Sequence, residues 1–182
     1  MKKYIKVMFG NKGADYEYKI DEVNVTNVWN PEAKSGKEFG GFNFTTPEKL
    51  LRWLHRGDTI YDVIIPDDAI VIDVKDSATP HGVFRSDKII LTNPRKVTDD
   101  IALEFYKIST IPEEAYPNAL GAVAVMNYFK TAKTILKDKV NKDNIDFYLS
   151  EWNDFTSKHN RKNCNDTVIY IDKELNNFKR QK

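Results

Sequence analysis

The sequence predicts an α+β fold in which a strand-rich half, residues 1–97, precedes a helical half, residues 98–182, the two forming one compact unit. Three observations predict it. Apolar residues alternate with period two up to Leu91, and with the helical period after Thr98. The chain of 182 residues suits one domain with a real core. Its ten Phe, nine Tyr and three Trp argue for a folded protein over a disordered one.

Tyr4 to Phe9 reads as a first strand, and Asn11-Lys12-Gly13 as the turn into a second at Tyr16 to Ile20, giving an N-terminal hairpin. Val23, Val25 and Val28 form a weaker extended segment, and the polar residues 31–38 a loop. Gly40 to Asn93 is the organising stretch. Phe42 and Phe44 share one strand face. Thr46 stands at an N-cap position with Pro47 and Glu48 in the first turn of a short helix. Leu50, Leu51 and Leu54 give that helix its stripe, and Gly57 is expected to close it in the left-handed conformation. Strands at Thr59–Ile65 and Ala69–Val74 flank the turn Pro66-Asp67-Asp68 as a hairpin, and a third at Lys88–Leu91 stops at Asn93-Pro94. The sheets are therefore small, antiparallel or mixed, with one short helix.

In the second half Thr98 caps a helix with the stripe Ile101, Phe105 and Ile108. The chain from Asn118 to Val140 reads as one helix, apolar nearly all round from Ala119 to Met126 and hence the most buried. Ile145, Leu149, Trp152 and Phe155 form the next stripe. Val168, Ile171, Leu175 and Phe178 form the last, capped by Asp166 or Thr167.

Composition bounds the function. The net charge of +1 gives no global field, but residues 1–128 carry −3 and residues 129–182 carry +4. Cys164 is the single cysteine, which excludes an internal disulfide and a cysteine metal cluster. The three histidines, His55, His81 and His159, show no metal-ligand spacing, and no phosphate-loop or nucleophile-elbow motif is present. No metal and no cofactor are expected, and no catalytic residue is assigned. No apolar run approaches the ~20 residues of a membrane span, and a cytoplasmic protein is expected.

The chemistry-bearing candidates fall in two places. His81 and Arg85 flank the entry to a strand, where a guanidinium can clamp a phosphate or pair with a carboxylate. Lys158, Arg161, Lys162, Lys179 and Arg180, together with Lys173 and Lys182, form a basic tail. If the last helix folds back they collect on one surface for nucleic acid or a partner, with a partly exposed Trp152 and Tyr170 for stacking.

Two resemblances add to this. Phe42-Asn43-Phe44-Thr45-Thr46, leading into a short helix, resembles the aromatic-x-Ser/Thr-Thr strand of ADP-ribosyltransferase-like domains. That resemblance implies a nicotinamide-nucleotide cleft between two small sheets, with Thr45, Thr46, His81 and Arg85 as its candidates. The family's first-strand His or Arg and late-strand Glu have no counterpart here. The segments Tyr61–Ala69 and Phe84–Leu91 resemble small proteins of phages and mobile elements in Clostridia-like bacteria, and size and style are similar to phage inhibitors of type II-A CRISPR nucleases, the anti-CRISPR proteins. This second resemblance implies a binding protein, more a binder than an enzyme. It would inhibit a host defence effector, the RNA-guided DNA nuclease, in the host cytoplasm with possible DNA contact.

Overall fold

The computed structural model describes residues 2–13, 16–33, 38–74 and 82–181. The fold is α+β, with the strands in the first half and the helices in the second. The chain forms two compact units: residues 1–50 with 56–96, and residues 51–55 with 97–182.

The first unit holds two antiparallel sheets. One has the order β1(Tyr4–Met8), β4(Thr59–Ile64), β7(Lys88–Lys96), β2(Val23–Val25); the other has the order β3(Phe42–Phe44), β6(Val83–Ser86), β5(Val71–Val74). Ile5 and Thr45 exchange both main-chain hydrogen bonds (2.8 and 2.9 Å) and so join β1 to β3. At Asp87 the chain crosses from β6 into β7. Rings and aliphatic chains from both sheets, among them Phe42, Phe44, Phe84, Tyr61, Ile89 and Leu91, fill the core between them.

Several expected elements differ. Tyr16–Ile20 makes isolated bridges and not a continuous strand. Gly13 N–H donates to Tyr16 O (2.7 Å) and Tyr18 N–H to Asn11 O (2.8 Å), as in the expected hairpin. At Lys19, however, the buried Asn24 amide accepts from the N–H and donates to the carbonyl, both at 2.8 Å. The turn at Pro66 forms, with Ala69 N–H donating to Pro66 O, yet β4 and β5 part into different sheets instead of pairing. β7 runs past Asn93-Pro94 to Lys96. An extra residue opposite Tyr61 makes a bulge there, with Asn93 at φ 53°, and a bulge has no ladder bond for a proline to break. Asp62 secures it, accepting from Asn93 Nδ2 (3.0 Å) and from both Arg95 Nη atoms (3.1 and 2.7 Å). The Arg95 hydrogen bonds hold the Asp62 carboxyl down at about 2.

Residues 47–56 form two short 3₁₀ turns, and Thr46 makes no side-chain cap bond. Gly57 is not left-handed. Its requirement is space, since an added Cβ would lie 2.1 Å from the Met8 carbonyl carbon.

The second unit packs α1(Asp99–Lys107), α2(Tyr116–Val125), α3(Phe129–Lys139), α4(Ile145–Lys158) and α5(Asp166–Arg180). Thr98 caps α1, its hydroxyl accepting from the Ile101 N–H. The buried α2 packs on α3, α4 and α5. The helix expected over 118–140 breaks at Asn127, which takes φ 60° and accepts from the Thr167 hydroxyl at 2.7 Å. Asn165, and not Asp166 or Thr167, caps α5; its Nδ2 also donates to the last α2 carbonyls, Ala124 O and Val125 O. Asp99 closes the start of α3, accepting from the Lys130 and Thr131 N–H groups at 2.7 and 3.0 Å.

Because Gly57 faces main chain and not a yielding side chain, Gly57→Ala should cost about 3 kcal/mol of unfolding free energy. Urea denaturation measures it, and a loss under ~0.5 kcal/mol would show that the Met8 backbone gives way freely.

Candidate binding surfaces

The nucleotide-cleft candidates lie in the first unit. Thr45 Oγ1 donates to Gly82 O at 2.5 Å, and Arg85 Nη1 donates to Gly40 O at 2.6 Å. That guanidinium nitrogen is thus engaged with a main-chain carbonyl. Thr46 is buried beside Pro47, and His81 lies outside the described residues. The space between the sheets is occupied by two groups of rings. Tyr4, Phe44 and Phe84 lie at centroid distances of 5.0 to 5.9 Å, and Tyr16, Tyr18 and Phe42 at 4.9 to 5.3 Å. Edge-to-face pairs of this kind are favourable beyond their burial.

Lys6 enters this aromatic setting from β1. It is 7% exposed, its Nζ donates to Asn43 O (2.7 Å) and Asn43 Oδ1 (2.6 Å), and it lies 5.2 Å from the Tyr18 ring centroid. Burial, and secondarily the Arg85 charge, lower its pKa from 10.5 to about 7. Burial, with Tyr16 secondary, likewise raises the Tyr18 hydroxyl well above the usual phenol range. A neutral amine is in general a base and a nucleophile, but this one spends both donated bonds on Asn43.

Among the described residues the basic tail is split between two ends of the helix pair α4 and α5. Lys179, in the last turn of α5, reaches Asp146 in the first turn of α4 at 3.5 Å, so the two helices run antiparallel. Lys158, Arg161 and Lys162 belong to the other end of α4, about 18 Å away at ~1.5 Å per residue. Lys158 is paired with Asp154 at 2.6 Å. Arg180 stays with Lys179 at the far end. Trp152 is 1% exposed, which corrects the expectation of partial exposure. Its indole N–H donates to Asp172 Oδ1 at 3.1 Å, and with that donor satisfied the whole ring joins the Leu149–Phe155 core stripe. The same fold brings together two histidines far apart in sequence: the His55 and His159 rings are 5.0 Å apart, and both touch Phe155. Among the described residues no group of three or more His, Cys, Asp or Glu is gathered as a metal site.

A different surface was not legible as a charge run. Phe129, Lys130, Lys133, Thr134, Lys137 and Asp138 line a shallow pocket of about 390 Å³ on the outer side of α3. Thr131, Ala132, Ile135 and Leu136 face the core, and Phe129, Lys130, Lys133, Lys137 and Asp138 are exposed. Phe129 is 42% exposed and rests edge-on against Tyr170 at 5.0 Å. Lys130 is tied to Asp100 at 2.7 Å, and Asp138 accepts from the Tyr106 hydroxyl at 2.9 Å. Lys133 and Lys137 are exposed, and neither has an ion-pair partner among the described residues. The signal in the sequence is the spacing 129, 133, 137, one residue per helical turn along a single face.

The Lys6 setting has a pH signature. Above about pH 7 the folded amine is neutral while the unfolded one stays charged up to 10.5. The unfolded chain then binds the extra proton, so stability rises with pH across that window, by at most about 1.4 kcal/mol per pH unit. Below pH 7 both states are protonated and the destabilising contribution stays at full size. The difference in unfolding free energy between the wild type and Lys6→Met should therefore move in the wild type's favour from pH 7 to 9.5; a flat difference would mean that the folded amine stays charged. No family model matches the chain, and no curated protein or solved structure was found to be similar to it.

Proposed function

We propose that the protein is a non-catalytic binding protein of phage or mobile-element type. It inhibits a host defence effector, the RNA-guided DNA nuclease of a type II-A CRISPR system, in the cytoplasm of the bacterial host, and touches nucleic acid. The observation that carries the nucleic-acid contact is the outer face of α3, where an exposed aromatic ring stands beside Lys133 and Lys137. Unpaired lysines are the ones that can neutralise phosphates and so release the counterions condensed on a polyanion, which is the source of sequence-independent affinity. The phage origin rests on the resemblance of Tyr61–Ala69 and Phe84–Leu91 to phage and mobile-element proteins, and the choice of effector on the similarity of size and style to phage inhibitors of type II-A CRISPR nucleases. Among the described residues no helix is long and apolar enough to cross a membrane.

The ADP-ribosyltransferase-like alternative gains no support from the same residues. The Thr45 hydroxyl and Arg85 Nη1 are engaged with main-chain carbonyls, and rings occupy the space between the sheets. Millimolar NAD should leave the melting temperature unchanged, whereas a ligand at 100 times its Kd stabilises by about 2.7 kcal/mol.

Titrating the protein into a guide-loaded type II-A nuclease should abolish cleavage of target DNA, and cleavage that persists at large molar excess removes this target. Gel shifts at low salt locate the contact. Reversing Lys133 and Lys137 to Glu should weaken binding more than reversing Arg161, Lys162, Lys179 and Arg180 together, because the latter lie at two separated ends. The opposite ranking would return the contact to the tail.

A further inference from the structure

We infer that the pocket on α3 is a single-stranded nucleic-acid site that stacks one base on Phe129 and holds the adjoining phosphates with Lys133 and Lys137. This deepens the proposed nucleic-acid contact and rests on it. A lysine face alone would accept a duplex equally well, since phosphate contacts carry no information about base or strand. The ring makes the difference. Phe129 is nearly half exposed on a helix whose other large apolar residues are buried, and its edge-to-face contact with Tyr170 fixes the ring while leaving part of it to solvent. A duplex keeps its base faces stacked inside, whereas a single strand can offer one to such a ring.

The dimensions agree. Phe129, Lys133 and Lys137 follow one another at about 6 Å along the helix, from four residues at ~1.5 Å rise. That step is comparable to the distance between successive phosphates of an extended strand. The pocket of about 390 Å³ suits a single nucleotide unit and not a folded partner's element. The ring and the lysines are among the residues that line it. Asp138 closes one end as the negative group, held there by Tyr106, and Asp100 neutralises Lys130 at the other. Two free cations therefore remain for the strand, with an acidic group marking where it leaves the site.

Fluorescence anisotropy with a labelled oligothymidylate and with a duplex of equal length, using the full chain at low salt, tests this. The single strand should bind more tightly. Phe129→Leu, which keeps an apolar contact to Tyr170, should weaken single-strand binding by roughly 5- to 150-fold, the worth of one stacked base. Phe129→Trp should retain it. Lys133→Ala and Lys137→Ala should each lower the slope of log affinity against log salt by about 0.7. Duplex binding as tight as single-strand binding overturns the inference, as does affinity indifferent to Phe129→Leu; in both cases nuclease inhibition is left standing. No binding of either nucleic acid overturns it as well and turns the α3 face toward an acidic protein surface.

Discussion

Ser86 is completely buried, and the corner it holds is the constraint on which the strand-rich unit depends. The chain leaves the three-stranded sheet at Ser86 and enters the four-stranded one at Lys88, with Asp87 alone between them. A corner interrupts the strand ladder, and a main-chain group left buried there without a partner would cost about 1–3 kcal/mol. The Ser86 hydroxyl donates to Lys88 O at 2.8 Å and accepts from the Lys88 N–H at 3.3 Å, and the Asp87 carboxylate accepts from the Ile70 N–H at 2.8 Å. With the corner satisfied, Phe84 and Ile89 lie on opposite sides of it in different sheets and still face one core. Ile5 and Thr45 make the second tie, so the sheets are connected at two places and the ring cluster fills what lies between.

That filling explains Lys6. Tyr4 and Met8, the residues flanking it on its own strand face, contribute to the aromatic core, so the strand period carries the lysine inward as well. The Tyr18 ring favours a cation, but burial and Arg85 oppose it, and the opposing influences win. Two short bonds to Asn43 are available to a neutral amine as readily as to an ammonium, which lets the group lose its proton without losing its partners. The result is a polar pin inside an apolar core, and Phe42 and Phe44, from the segment that resembled a nucleotide cleft, are part of the same packing.

The legible parts of the fold were those set by short-range chemistry. The change of period near Thr98, the Thr98 cap, the all-round apolar α2 and the stripe of α4 could all be read because each rests on neighbours within one or two turns. What escaped rests on distant partners. Nothing local separates two strands flanking a β-turn from a hairpin, and only the sheet to which each strand goes decides it. Asn24 completes the hydrogen bonds of Lys19, which no alternation pattern reveals. Among the described residues four of the five non-glycine positions with positive φ are Asn, and that is why the break between α2 and α3 carried no Gly or Pro to announce it. Trp152 misled for the converse reason: an aromatic beside a basic loop looks like a stacking platform until Asp172, on the next helix, supplies its hydrogen bond.

The same distinction governs the charges. The +4 of residues 129–182 is real, but a sum along the chain does not say which cations are free. Folding antiparallel puts Lys179 on Asp146 and leaves Lys158 with Asp154 one turn away, and exposed pairs of this kind are worth little in stability, typically 0–1 kcal/mol. Their consequence is for binding: a lysine already facing a carboxylate must give it up, or share it, to take a phosphate. Lys133 and Lys137 face no such exchange, since neither has an ion-pair partner among the described residues and Asp100 is already taken by Lys130. The pairing pattern, set by the packing of α1 against α3, thus turns an evenly mixed helical surface into one with a defined cationic strip. The exposed ring of Phe129 lies at the head of that strip, where Asp99 of α1 caps the first turn of α3 and holds the whole face in place.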